Sequence, residues 1–525
     1  MNRKSLILLV LILLLLPGIV ANTETFEERE HETDDHKQPM LKENETSSFD
    51  PESFNYHGNA TAFTSPDSSK EAMMNFLDGV NSSLEVGVYQ FNDVRIAEKI
   101  ADLSNAGVSV RVLIEADPVQ GMSDRGIASL NYISSEGGEV RTIDDHYEYY
   151  HPKYMRRDNS SVFLTSENLV ASSFPSDPTY GNRGWGIILD HEKTGDYYGE
   201  VFDHDWSLGE DFTYDEVEYE RYNLSSGNYS PTFNSTEIQG EFEVTPVIGP
   251  DTNMKNSTVL GEIRSAEESI YLQQYYIRDW DGEENPYLEA IKEAAKRGVR
   301  VKILLDSTWY HQGVGGNDEM VDELNDLAED KSLDLEARSL SDYQGLIKSH
   351  NKGMIVDEDS VLVSTINWNE NSMRRNRELG VIVENDKIAD YYSNVFLNDW
   401  KDFIDPIADA GDEKTVMVEE EFILSAENSW DDHEIVEYRW DIDGDGSVDE
   451  KGEKITVHFE ERGTYTVTLT VEDVGGNTDT DTIEVLVEEQ DRFTLLEKVV
   501  NSIILISPTV LITLFLLREF WLNRS

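Results

Sequence analysis

The chain contains no cysteine among its 525 residues. Disulfides, thiol nucleophiles and thiolate metal sites are therefore excluded. Basic residues are scarce: 43 Lys and Arg stand against 105 Asp and Glu, a formal charge of −62. Such a charge repels nucleic acid and anionic membranes at low ionic strength. At about 1 M salt the screening length is about 3 Å, and that repulsion fades. The charge reads as a surface adapted to high salt, with an acidic extracellular protein of ordinary habitat as the rival. Long uncharged runs stand at the two ends. Arg3 and Lys4 precede Leu6 to Leu16 and the stretch Pro17 to Ala21. Residues 1–21 thus have the layout of a secretory signal, with an uncleaved anchor as the alternative. Val499 to Leu517 carries no charge. As a helix it would run roughly 28 Å, close to a hydrocarbon core of about 30 Å, so a transmembrane helix is expected over 499–517. Lys498 precedes it, and Arg518 and Arg524 follow. The expected location is the cell membrane, single-pass, with the bulk of the chain outside. Sequons at Asn44, Asn59, Asn81, Asn159, Asn223, Asn228, Asn234 and Asn256 fit an exported chain.

What the chain does have is a duplication. His151-Pro-Lys153 is followed by Asp158, and His350-Asn-Lys352 by Asp357 in the same spacing. The register holds further on, where Thr165-Ser166-Glu-Asn168 answers Ser364-Thr365-Ile-Asn367. Around each motif lies a strand, helix, glycine stop, strand pattern. In the first half the strands are Leu84 to Gln90 and Val108 to Ile114, with a helix from Ile96 to Ala106. In the second they are Ile270 to Tyr276 and Val299 to Leu305, with a helix from Tyr287 to Arg297. These are crossover units with parallel pairs. Each histidine motif opens a further strand. A repeat this long is a whole domain rather than a solenoid unit. The expected order is a flexible stalk (22–55), lobe 1 (56–206), an acidic linker (207–242), lobe 2 (243–402) and a β-sandwich (407–488). The fold class is α/β for the lobes and all-β for the sandwich.

The repeated residues suit phosphoryl transfer. On a strand, His and Lys two apart share a face. An imidazole with a pKa of about 6.5 attacks phosphorus or protonates a leaving oxygen. Lysine supplies fixed positive charge, and asparagine donates to phosphate oxygens. Two copies allow one nucleophile and one general acid. Cations gather near the motifs: Lys153, Arg156, Arg157 and Arg183 at the first, Lys348, Lys352, Arg374, Arg375 and Arg377 at the second. That reads as a positive funnel for an anionic substrate, or as surface pairing with the many acids. The tyrosine-rich stretch Tyr147 to Tyr154 reads as core or rim packing, or as a surface that lines a lipid groove or stacks bases.

The two His-x-Lys-x4-Asp motifs with their Ser/Thr-x-Asn continuations resemble the phospholipase D superfamily, over about residues 60–402. The resemblance implies two lobes related by a pseudo-two-fold axis, with the histidines meeting between them. It implies phosphodiester chemistry through a phosphohistidine, with no cofactor required and no obligate oligomer. Carried over, His151 and His350 are nucleophile and acid/base, in an order left open. Lys153, Lys352, Asn168 and Asn367 hold phosphate oxygens, aided by Ser166 and Thr365, and from the cationic clusters Arg183 and Arg375 are further candidates for substrate binding. Asp158 and Asp357 belong to the catalytic motif but are expected to secure the structure around it. Glu378, in Asn376-Arg-Glu378-Leu-Gly, fits the family's histidine-orienting acid, which makes His350 the better-supported histidine. The first half has Gly184 at that place, with Asp177 as a conceivable substitute. Thr165 and Ser364 replace the usual glycine, and Arg156 and Arg157 replace the apolar Ile355 and Val356.

Residues 407–488 resemble a PKD domain, on Val436 to Gly446 and Gly463 to Asp473, which implies a spacer or adhesion role. Asp441, Asp443, Asp445 and Asp449 resemble the start of a calcium loop. Gly452 at its twelfth position excludes an EF-hand, leaving weak calcium binding or a plain acidic turn. The expected function is a membrane-anchored phosphodiesterase or phosphatidyltransferase acting on phospholipid head groups. The alternatives are an extracellular nuclease and a surface-binding protein with a degenerate site.

Overall fold

The apolar runs of each half form strands buried on both faces, as a sheet covered by helices requires. The computed structural model describes residues 49–218, 226–280, 282–313, 315–340, 345–401, 406–431, 435–473, 477–489 and 512–513. The expected signal, most of the expected stalk and the expected membrane helix lie outside them, apart from 512–513. Among the described residues no helix is long and apolar enough to cross a membrane.

Lobe 1 contains β1 (Phe54–Ser65), β2 (Ser83–Val88), β3 (Ser109–Glu115), β4 (Glu139–Ile143), β5 (Lys153–Arg157), β6 (Ser161–Thr165), β7 (Gly184–Asp190) and β8 (Glu210–Asp211). Lobe 2 contains β9 (Thr236–Gly249), β10 (Ser269–Gln274), β11 (Arg300–Leu305), β12 (Leu335–Ser339), β13 (Lys352–Val356), β14 (Ser360–Ser364) and β15 (Glu378–Glu384). β2, β3 and β4 are parallel neighbours, as are β10, β11 and β12. The crossover helices are Val94–Asn105, capped by the Asp93 side chain, and Pro286–Arg297, capped by Asn285 with proline in its first turn. Gly298 closes the second at φ +99°, a left-handed conformation that glycine takes without strain. β5 and β13, the strands that follow the histidines, join their sheets antiparallel to β2 and β10. Each lobe has its own apolar core between sheet and helices.

β1 pairs antiparallel with β9, from Phe54 against Val244 to Ala62 against Thr236. This joins the lobes into one fifteen-stranded sheet. It also corrects two boundaries. β1 begins inside the stretch assigned to the stalk, and β9 begins inside the stretch assigned to the linker. Ile238, Phe242 and Val244 of β9 are buried, while Glu237, Gln239 and Glu241 are exposed. That is a period-two strand whose acidic outer face imitates a linker. Tyr229, from the same stretch, is also buried.

The second unit begins at Asp399, and its described elements from 414 to 488 are strands. Five strands form one sheet: β16 (Lys414–Met417), β18 (Ile435–Asp441), β19 (Glu450–Lys451), β21 (Gly463–Asp473) and β22 (Thr478–Glu488). β17 (Phe422–Ser425) and β20 (Lys454–Val457) form a second. Their inner faces enclose a core around Trp440, Val467 and Leu469. This is the expected sandwich.

Candidate active site

His151 stands just before β5 and His350 just before β13, and both are buried. The segments leading to them are fixed by carboxylates at the ends of neighbouring strands. Glu115 accepts from the Tyr150 backbone N–H at 2.6 Å, and Asp306 from that of Ser349 at 2.7 Å. Burial pushes the Asp306 carboxyl up to about 6. Each histidine segment then pairs with the other lobe. The His151 N–H donates to the Arg377 carbonyl at 2.9 Å, and the His350 N–H to the Arg183 carbonyl at 2.8 Å. The lobes are thus stitched by backbone at the two histidines.

The stitching decides which acid serves which histidine. Glu378, in lobe 2, accepts from Nδ1 of His151 at 2.8 Å. It is held by Ser372, by Asn376 at 3.0 Å and by Thr365. The expectation that Glu378 supports His350 is therefore corrected: it crosses to lobe 1. Burial would raise the Glu378 carboxyl, but the charge and hydrogen bond of His151 and the charge of Lys153 hold it below the usual carboxylate range. Burial, the largest influence, lowers the His151 pKa, and Lys153 and Lys352 act in the same direction, against the charge and hydrogen bond of Glu378. The pair is thus a neutral imidazole on an ionised carboxylate, with Nδ1–H donated and Nε2 carrying a lone pair.

The counterpart for His350 is a residue the sequence reading passed over. Glu167 is buried and places Oε1 3.6 Å from Nδ1 of His350, just outside hydrogen-bond range. Its other oxygen accepts from Ser173 and, at 3.2 Å, from Asn182. Ser173 and Asn182 occupy the repeat positions of Ser372 and Asn376, so one clamp recurs in both lobes. Only the acid has moved. Glu167 stands where lobe 2 has Ile366, and Gly184 stands where lobe 2 has Glu378. A Cβ at Gly184 would lie 2.4 Å from Oε1 of Glu167 and 2.5 Å from its Cγ. Gly184 is thus the room that Glu167 fills, rather than a vacancy. The signal in the sequence was this exchange of a large and a small residue between two matched positions. Asp177, the substitute considered above, instead accepts from the backbone N–H and hydroxyl of Thr179 in a turn. Burial pushes the Glu167 carboxyl up, against the hydrogen bond of Ser173 and the charge of Lys352.

The lysines are tethered alike. Lys153 Nζ donates to the His151 carbonyl at 2.9 Å, and Lys352 Nζ to the His350 carbonyl at 2.8 Å. Each ammonium also lies over a tyrosine that packs edge-on against its histidine: Tyr89 for Lys153 and His151, Tyr275 for Lys352 and His350. A cavity of about 180 Å³ opens at His151. Tyr89 and Tyr149 line it from lobe 1, and Tyr276, Arg278, His311 and Asn367 from lobe 2. Asn168 is buried, and its amide donates to Gln90 at 3.1 Å. Ser166 accepts from the Trp185 backbone N–H at 3.1 Å, at the foot of the Glu167 clamp.

Several assigned residues are elsewhere. Asp158 and Asp357 close the hairpins at the far ends of β5 and β13, each five residues beyond its lysine, or roughly 16 Å along the strand. Asp158 accepts from the backbone N–H groups of Asn81, Ser82 and Ser83, and Asp357 from those of Glu267, Glu268 and Ser269. Their work is structural. The arginines counted toward the cationic funnel pair with acids. Arg183 is fully buried, bonded to Asp67 at 2.8 Å and to Tyr229 at 2.7 Å. Arg377 is its repeat, bonded to Asp251 at 2.7 Å and to Asp205. Arg156 pairs with Glu85, Arg157 with Asp190, Arg374 with Glu283 and Glu370, and Arg375 with Glu370. Arg183 is therefore a buried clamp, whereas Arg375 is partly exposed and reaches Glu370 at 3.5 Å. Of the tyrosine-rich stretch, Tyr150 and Tyr154 are core, and Tyr149 reaches the cavity.

In the sandwich, carboxylate oxygens of Asp441, Asp443 and Asp449 lie within 4.8 Å of one another. Asp445 is not among them; it accepts from the Ser447 N–H. Backbone N–H groups of the turn already engage Asp441 and Asp449.

Both parts of the chain are similar to known families. The family described as "Cardiolipin synthase, PLD-like domain" matches residues 73–206 and 259–400. The PKD domain family matches residues 404–487. The phospholipase D of Rickettsia conorii is 30% identical over 140 residues, which is 27% of this chain and 61% of that protein. That of Rickettsia prowazekii is 30% identical over 134 residues, 26% of this chain and 57% of that protein. The chain thus spans about three-fifths of the length of the curated relatives it matches. Among solved structures, phosphatidylserine synthase of Haemophilus influenzae Rd KW20 aligns with TM-score 0.48 and 13% identity, over 64% of this chain and 86% of that one. Nuc, a phospholipase D family member from Salmonella typhimurium, aligns with TM-score 0.26 and 21% identity, over 31% of this chain and 99% of that one. With both lobes matched and a PKD domain after them, the chain belongs to the phospholipase D-like family.

Proposed function

We propose that this chain is an exported, membrane-anchored phosphodiesterase or phosphatidyltransferase that acts on phospholipid head groups through a phosphohistidine on His151. The observation that carries the reading is the 2.8 Å bond from Nδ1 of His151 to the clamped Glu378. It fixes the tautomer that leaves Nε2 nucleophilic. Nε2 attacks phosphorus, the bond to the leaving alcohol breaks, and His350 gives its proton to that oxygen. Lys153, Lys352, Asn168 and Asn367 hold the non-bridging oxygens as charge builds. Water or a second alcohol then attacks the phosphohistidine, His350 takes its proton, and the P–N bond breaks. Protein groups balance every step, so a cofactor is not required by this scheme. The lipid substrate and the membrane anchor are supported by the apolar run 499–517, and export by the charged, apolar N-terminus and the sequons.

The test uses the full chain in mixed micelles of phosphatidylglycerol and neutral detergent, and separately single-stranded DNA. Both are run with chelator, at about 0.1 M and about 2 M KCl. Expected are lipid turnover that survives the chelator and an acid-labile phosphoenzyme absent from His151→Ala. Cleavage of DNA alone would turn the reading to an extracellular nuclease. Turnover of neither would overturn it, and loss of activity with chelator would refute the scheme's independence of metal.

A further inference from the structure

The two lobes are built alike but line the cavity with different chemistry. β2 and β10 continue into bridges between Phe91 and Leu169 and between Ile277 and Trp368, which match position for position. One residue further, lobe 1 has Asn92 and lobe 2 has Arg278. After β3 and β11, matched turns are held by Glu115 and Asp306, each accepting from the N–H two residues on. The same register then aligns Val119 with Tyr310 and Gln120 with His311. Arg278 and His311 both line the cavity at His151, and Asn369 joins them where lobe 1 has Val170. One wall is therefore cationic and rich in donors, and its counterpart is neutral.

The cationic wall is preorganised. Arg278 donates from Nη1 to the Ile277 carbonyl and the Asn317 side chain, each at 3.0 Å. Its Nη2 meets Nδ1 of His311 at 3.1 Å. The guanidinium also lies 5.0 Å from the centre of the Tyr276 ring. With Nδ1 of His311 accepting, the neutral ring carries its proton on Nε2 and is a donor there. Among the described residues no Asp or Glu lines this cavity, in a chain with 105 acids. Fixed donors around a guanidinium that lines the cavity match the planar oxygens of a phosphate or carboxylate.

We propose that Arg278 and His311 form a subsite for a second anionic group, a phosphate or a carboxylate, carried by the alcohol that leaves or enters at the phosphodiester. The proposal rests on the reading of the chain as a phosphodiester-transferring enzyme and deepens it. A reacting phosphate sits at His151, and the head-group alcohol extends into the lobe 2 wall. Zwitterionic head groups with a quaternary ammonium are disfavoured there, because Arg278 repels them.

The experiment compares phosphatidylglycerophosphate, phosphatidylserine, phosphatidylglycerol and phosphatidylcholine, each diluted in one neutral detergent micelle with the full chain. Expected is a kcat/KM about tenfold higher for the first or second than for the last two, the scale of one charge-assisted contact. The first two arms separate phosphate from carboxylate. Arg278→Gln should erase that ratio, and Arg278→Glu should reverse it toward phosphatidylcholine. Equal rates on all four lipids, or a ratio unmoved in both variants, would overturn the subsite while leaving the enzyme reading intact. If no lipid is turned over, calorimetry with sn-glycerol 3-phosphate and with phosphoserine still decides. Binding in the wild type that is lost in Arg278→Gln supports the subsite, and absence of binding to the wild type rejects it.

Discussion

Behind each histidine stands a carboxylate from the other lobe, but the two pairs differ. His151 donates to Glu378 at 2.8 Å, while Glu167 stops 3.6 Å short of His350. Such gaps close in catalytic sites when substrate arrives. On the proposed reading this inequality makes His151 the nucleophile and His350 the acid, and leaving-group dependence tests it. On an alkyl diester, His350→Ala should lower kcat by about 10²–10⁴-fold, the usual worth of a general acid. On a p-nitrophenyl diester, whose leaving group needs no proton, the first-turnover burst of p-nitrophenol should be far less affected, because only the later breakdown of the phosphohistidine still needs His350 as base. His151→Ala should abolish both reactions; equal losses in the two variants on both substrates would refute the division. Because burial holds His151 below the ordinary imidazole value of about 6.5, the acid limb of kcat/KM should lie under pH 6.5. A limb above pH 7 would show that the imidazole is charged in the free enzyme. Glu167 allows a test by transplantation. Glu167→Ile should cost at least about tenfold in kcat, as loss of an orienting partner does. Glu167→Ile with Gly184→Glu restores the lobe 2 layout and should recover much of that loss, whereas Gly184→Glu alone collides with Glu167. If the double variant is no better than Glu167→Ile, Glu167 serves only packing. The histidines, lysines and Glu378 are legible in the sequence because their spacing is local. The pairing of acid with histidine is not, because it depends on which backbone segments meet across the lobes.

Hairpins and strand ends explain the rest of the motif. Asp158 and Asp357 have φ of 50° and 51°, a left-handed conformation that Asp tolerates better than most residues. Each closes a hairpin and ties it to the start of a parallel strand. The spacing from His to Asp is therefore the length of one strand, and it reads as catalytic only because strand length is fixed. Asp158→Asn should lower stability by about 1–2 kcal/mol at neutral pH, solvent screening limiting the charge's share. Burial would raise its carboxyl, but the Ser82 and Ser83 N–H groups and the Ser82 hydroxyl hold it well below the usual range. Its contribution is present above about pH 4, the ordinary carboxylate value, and is lost as pH falls through the depressed one. Urea titrations of wild type and variant should therefore converge toward pH 2, with kcat at pH 7 preserved. A variant as stable as wild type at pH 7 would contradict the tie. Strand–helix–strand units and their glycine stops follow from apolar period and capping residues. The start of β9 does not, because its outer face is as acidic as the loop before it, and only Ile238, Phe242 and Val244 betray the strand.

At the scale of the whole molecule, charge dominates. A net charge of −62 over this chain opposes compaction wherever it is not screened. Its arginines are largely engaged with acids at the lobe interface and along the sheet, so they do little to offset the exposed excess. The thermal midpoint should therefore rise between about 0.1 M and about 2 M KCl, as the screening length contracts. Calorimetry showing a flat or falling midpoint would set aside the high-salt reading. The exchange of partners across the sheet has a consequence of another kind. Neither half carries a complete histidine with its own acid, so a change in one half is felt in the chemistry of the other. Two polypeptides cut in the stretch between β8 and β9 should each be inert and should regain turnover when mixed. A duplication usually frees one copy to wander; here the copies are mutually indebted, and each is the other's constraint.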